Sequence, residues 1–102
     1  MAAWLCLFLS FLTIRVLPHI VVVNESIRVT CLVAHRAENR RLIIAVEGYR
    51  ESEYALEGEA APGVFEATYD HVPCRVEMVS CTLVEGTGKV VRAALPVQVG
   101  GC

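Results

Sequence analysis

The sequence predicts an all-β chain, an antiparallel seven-stranded β-sandwich over residues 18–102 preceded by a short apolar segment at residues 1–17. Three observations carry this expectation. Short runs rich in Val, Ile, Thr, Phe and Tyr recur about every 8–12 residues, with turn residues between them. Within the runs apolar and polar residues alternate with period two, as in a strand with one buried face. After residue 17 no ten-residue stretch shows helical apolar spacing.

The first segment, MAAWLCLFLSFLTIRVL, has no charge from Ala2 to Ile14. As a helix that run would be about 20 Å long, short of the roughly 30 Å core of a bilayer. Its length suits the apolar part of an export signal. It has no Lys or Arg ahead of it, and a cut after Ser10 or Thr13 would leave Phe8 or Phe11 three positions back. Three readings stand: an export signal, an uncleaved anchor that brings residues 1–17 to a membrane, or a first strand of the domain beginning near Leu12.

Seven strands follow. Ile20–Val23 is β-branched and stops at Asn24-Glu25. Ser26–Ala34 alternates, with Ile27, Val29, Cys31 and Val33 on one face. His35–Arg40 is a polar loop, and Arg41–Glu47 is a strand ended by Gly48. A short strand is expected at Glu53–Leu56, then a turn at Ala60-Ala61-Pro62-Gly63. Val64–Tyr69 sets Phe65, Ala67 and Tyr69 against Val64, Glu66 and Thr68. Arg75–Val84 and Val90–Val99 flank a hairpin loop at Glu85–Lys89, and Pro96 marks the last strand as an edge or bulge.

With 102 residues, 55% of them apolar and 20% charged, the chain is one ordered domain and not a large multi-domain enzyme. A net charge of -2 argues against nucleic acid as a partner.

The run Val76-Glu77-Met78-Val79-Ser80-Cys81-Thr82-Leu83-Val84, the turn Gly86-Thr87-Gly88 and the strand Val90–Val99 resemble the end of an immunoglobulin-like or fibronectin type III-like domain. Val64–Tyr69 is similar to strand E of such a domain, and Ser26–Val33 to strand B. The resemblance spans roughly residues 18–100 and rests on hydrophobic pattern and turns. It departs from antibody-type domains, because the only Trp is Trp4 and Val79 stands two residues before Cys81, where those domains have Tyr. It is closest in kind to the diverse Ig-like modules of secreted bacterial proteins.

Five cysteines are present, and losing the leader with Cys6 leaves Cys31, Cys74, Cys81 and Cys102. An even set in a small exported chain reads as two disulfides, with three possible connectivities. On one extended strand Cys74 and Cys81 would lie about 23 Å apart, far beyond the roughly 7 Å that a disulfide spans, so that pairing requires a loop. The resemblance implies Cys31–Cys81, between facing strands B and F. If Val84 opposes Val90 in the hairpin, Cys74 falls opposite Gly100 and Cys102 lies two residues on, which points to Cys74–Cys102. The competing reading is four free thiols in a reducing compartment. No CxxC or HxxxH spacing marks a metal or redox site.

Asn24-Glu25-Ser26 is an N-glycosylation acceptor at an expected turn. His35, Arg36, Asn39 and Arg40 form a candidate binding loop, since strand-end loops often recognise partners. Asp70, His71 and Ser80 carry hydrolase chemistry without a nucleophile elbow. The glutamates of 47–59 read as a solvated acidic face more readily than as a calcium loop. The expectation is a non-catalytic, secreted or membrane-tethered Ig-like module that binds or spaces another protein, with no cofactor and no metal. The alternatives are an inhibitor or accessory subunit acting through strand-end loops, or a small hydrolase or thiol enzyme.

Overall fold

The computed structural model describes the backbone of Leu5–Phe8 and, in full, residues 12–58 and 63–102. The expected turn at 60–63 lies outside these residues up to Gly63, as does Trp4. Among the described residues the chain is all-β, with no helix long and apolar enough to cross a membrane.

Among the described residues ten strands form where seven were expected: β1 Leu5–Phe8, β2 Leu12–Leu17, β3 Ile20–Val22, β4 Ile27–Val33, β5 Asn39–Val46, β6 Arg50–Ala55, β7 Val64–Tyr69, β8 Met78–Glu85, β9 Val90–Pro96 and β10 Gln98–Gly100. They make one four-stranded antiparallel sheet in the order β1-β2-β4-β7 and another in the order β6-β5-β8-β9. A two-stranded parallel ribbon, β10-β3, completes the fold.

The inward residues of both four-stranded sheets meet in one core. Ile14, Ile27, Val29 and Cys31 from the first sheet join Leu42, Ile44, Val79, Cys81 and Leu83 from the second, and all nine are fully buried. Each such aliphatic side chain contributes roughly 1.5–3 kcal/mol by leaving water. Tyr69 ties the sheets together, donating its hydroxyl to the Ile44 carbonyl at 3.2 Å and accepting from the Ser52 hydroxyl at 2.8 Å. Tyr54 and Phe65 add a tilted ring pair with centroids 5.2 Å apart along the same side.

The extra strands have identifiable causes. Leu12, Ile14 and Val16 are buried and alternate with Thr13 and Arg15, so β2 is an interior strand of the first sheet. The boundary expected at residues 17 and 18 therefore falls inside the fold. There the cis Leu17–Pro18 peptide joins β2 to β3. Leu5–Phe8 of the expected leader or anchor pairs with β2 as β1, and residues 1–4 and 9–11 of it lie outside the described residues. The expected strand Val90–Val99 divides after Pro96: β9 stays at the edge of its sheet beside β8, and β10 turns to pair with β3. The expected start of β8 at Arg75 also moves to Met78, because Cys74 and Arg75 form a turn closed by Val76 N–H to the Pro73 carbonyl. The acidic Arg50–Ala55 is a full strand because Ser52 and Tyr54 turn inward while Glu51 and Glu53 stay exposed.

Both disulfides form as Cys31–Cys81 and Cys74–Cys102, with Cα separations of 6.2 and 5.7 Å. Val84 opposes Val90, and this register holds down to Met78 opposite Pro96. Gly100, however, pairs with Val22 and not with Cys74. Cys102 reaches Cys74 because β10 lies along β3, and Asn24, two residues past β3, donates its N–H to the Val72 carbonyl beside that turn.

Candidate functional site

The strand-end loop is held by its own polar groups. Arg36 faces Glu85 at 3.4 Å and Glu38 at 3.7 Å, and Glu85 is buried. A buried carboxylate needs a nearby cation, and the loop arginine serves it. Asn39 and Arg40 are not loop residues: they open β5, where a register shift before Arg41 accommodates them. Asn39 is buried and donates to the Ala34 carbonyl at 2.8 Å. Arg40 donates to the carbonyls of Ala37 and Asn39 at 2.5 and 2.9 Å. Of the four loop candidates, His35 and Arg40 are exposed, and His35 lies against Gly63.

Asn24 sits exposed in a turn at φ 69°, its N–H bonded to the Val72 carbonyl. The sequon's Ser26 hydroxyl donates to Asp70 Oδ1 at 2.5 Å. That bond occupies the carboxylate suggested for a hydrolase. His71 is exposed at φ 57°, and Ser80 is 2% exposed in the middle of β8. The acidic residues of 47–66 are partly spent on ion pairs: Glu53 with Arg41 at 3.0 Å, Glu66 with Arg28 at 4.0 Å, and Glu47 with Arg92. Among the described residues no three His, Cys, Asp or Glu converge to hold a metal.

A concave surface lies on the outer face of the β6-β5-β8-β9 sheet. It is a groove of about 470 Å³ whose floor is made by Ile43, Ala45, Ser80 and Thr82. Glu47, Tyr49, Arg50 and Glu51 stand on one side and Arg92 on the other. Inward and outward residues alternate along each strand, so the same pattern that buries Leu42, Ile44, Cys81 and Leu83 sends these side chains outward. The Arg92–Glu47 pair joins β9 to the end of β5 and so passes over β8 between them, which covers Ser80.

The groove's end wall is built at the β5–β6 turn. Gly48 adopts φ 78°, a conformation that side chains with a Cβ resist, and Tyr49 N–H closes the turn onto the Val46 carbonyl at 3.0 Å. Tyr49 donates its hydroxyl to the Asp70 carbonyl at 2.7 Å. The guanidinium groups of Arg50 and Arg75 lie 5.0 and 5.8 Å from its ring centre. Arg75 also donates to the Gly48 carbonyl at 2.9 Å.

Sequence reasoning passed over this face. The available signal was that Ile43, Ala45, Ser80, Thr82 and Ala94 are small or apolar at outward positions, where an ordinary solvated strand carries charge. No family model matches the chain, and no curated protein shows detectable similarity to it. The functional reading rests on the site itself.

Proposed function

We propose that this chain is an exported, non-catalytic Ig-like β-sandwich that recognises another protein through the outer face of β6-β5-β8-β9. The observation that carries the reading is the open groove with its small, partly apolar floor and charged walls. Protein recognition surfaces share that composition, a less polar centre inside a polar rim.

The chain path supports the Ig-like assignment. β2 runs antiparallel to β4 in one sheet, the chain crosses at Leu17–Pro18, and β3 then runs parallel to β10. Joining β2 to β3 and β9 to β10 across their proline-marked breaks leaves seven sandwich strands, with β1 added. Cys31–Cys81 links β4 to β8 across the two sheets, as strands B and F are linked in such domains. Two disulfides in a chain this small support an oxidising compartment.

Capture of a partner from an exported protein fraction by the oxidised chain tests the reading. Thr82→Arg places a long charged side chain in the groove and abolishes capture, while His35→Ala at the strand-end loop leaves it unchanged. The opposite pattern transfers recognition to the loops and overturns the proposal.

A further inference from the structure

Strand register writes a charge pattern across the recognition face. One row reads Glu53, Ile43, Thr82, Arg92 from β6 to β9. The neighbouring rows read Glu51, Ala45, Ser80, Ala94 and Ala55, Arg41, Val84, Val90. Strands stand about 4.8 Å apart, so Glu53 and Arg92 lie roughly 14 Å apart at opposite edges of the sheet.

We propose that this face binds a second copy of the same chain, about a two-fold axis that runs parallel to the strands between β5 and β8. The proposal rests on the reading of this face as a recognition surface and names its occupant. Such an axis lays β9 of one copy over β6 of the other and turns each row onto itself. Glu53 then meets Arg92 of the second copy at both edges, and Ile43 covers Thr82 of the second copy near the axis. Ala45 faces Ser80 of the second copy, and their small size permits close approach. This is an isologous contact, in which one patch complements itself.

The charges select this geometry over its competitor. A two-fold axis perpendicular to the strands would lay β6 on β6 and set Glu51 and Glu53 against their own copies, a repulsive arrangement. With the parallel axis, the arriving Arg92 finds Glu53 with Glu51 beside it. Glu51 makes no ion pair within its own chain among the described residues. The pairs already present, Arg41–Glu53 and Arg92–Glu47, have side chains 38–50% exposed, and ion pairs so exposed exchange partners at small cost.

Four strands by six residues cover roughly 400 Å² per copy. The roughly 800 Å² total is below the standard protein interface, so the dimer is weak and forms at about 0.1 mM and above.

Sedimentation equilibrium of the intact oxidised chain from about 10 μM to about 1 mM tests this. The expected result is a dimer that weakens with salt. Glu53→Arg alone and Arg92→Glu alone each set like charges together and weaken it at least about tenfold. An equimolar mixture of the two variants restores dimerisation, because each new charge meets its opposite on the other chain. Rescue cannot arise within one chain, where the two positions do not meet. Intact mass with both disulfides and a cooperative melt verify each variant's fold. If Arg92→Glu fails to fold, Thr82→Arg replaces it and abolishes the dimer by obstructing the centre. A monomer at 1 mM, a dimer indifferent to every substitution, or no rescue on mixing overturns the proposal. If the chain stays monomeric while Thr82→Arg still abolishes capture of another protein, self-association falls and the recognition reading stands.

Discussion

The centre of the molecule and its C-terminal end are each closed by a disulfide, in opposite surroundings. Cys31 and Cys81 are fully buried, with Ile14 opposite Cys31 and Ile44 opposite Cys81 in the sheets. Cys74 and Cys102 are exposed, one in the turn before β8 and one beyond the three-residue β10. Chain entropy scarcely separates them. Loops closed over 50 and 28 residues are worth about 4 and about 3.5 kcal/mol. What differs is company. The central bond is one contact among many in a dry core, while the outer bond supports only the β10–β3 ribbon and its neighbouring turn. A disulfide's weight in a fold therefore depends on what else holds the same place.

The largest expected effect tests this directly. Replacing Cys31→Ala with Cys81→Ala removes loop closure and also leaves space in the core, lowering the melting temperature by roughly 20 °C or more. Replacing Cys74→Ala with Cys102→Ala lowers it less, and the lost hydrogen-exchange protection is confined to residues 20–23 and 98–102. Equal losses, or protection lost from β5 and β8 in the outer variant, would break the comparison.

A smaller effect sharpens it. Under native conditions a limiting dithiol reductant opens Cys74–Cys102 first, because thiolate attack needs access to sulfur. Alkylation followed by peptide mass mapping should label positions 74 and 102 while 31 and 81 remain joined. Labelling in the reverse order would mean that the core opens more readily than the end.

The smallest effect probes the link between the sheets. Burial is the main cause that raises the Tyr69 phenol above its ordinary 10.0. The folded state thus holds this proton more tightly than the unfolded chain. The resulting stability is full below about pH 10 and is lost as pH rises through the folded value. Tyr69→Phe should cost about 1 kcal/mol at neutral pH and flatten the loss of stability above about pH 10 in denaturant titrations. An unchanged alkaline slope would remove Tyr69 from that account.

Much of the fold was legible along the chain. Val64–Tyr69 matches its expected bounds, and the faces of Ile27–Val33 and Val64–Tyr69 follow from period two alone. The hairpin register set by Val84–Val90 holds as far as Met78 opposite Pro96. These features depend on residues close in sequence, so local pattern determines them. Beyond that pairing, Cys102 reaches Cys74 through the β10–β3 ribbon and not through the hairpin register. At Leu12–Leu17 the sequence leaves a leader and a first strand both open, because apolar residues look alike in a signal and in a buried strand; the strand reading is the one that holds, and only the facing sheet distinguishes the two. The loop reading failed at Asn39 and Arg40 because their partners, Ala34, Ala37 and the bulge beside Glu85, take shape only once β5 pairs with β8.

Sequence alone determined the all-β class, the inward and outward faces of the strands, and the supply of cysteines. The tertiary structure decided which strands become neighbours. That order sets Arg92 across β8 from Glu47, 45 residues away in the chain, and spreads Glu53, Ile43, Thr82 and Arg92 into one row. Period two specifies the face on which a side chain stands, but the partner it meets there depends on long-range pairing that no local pattern encodes.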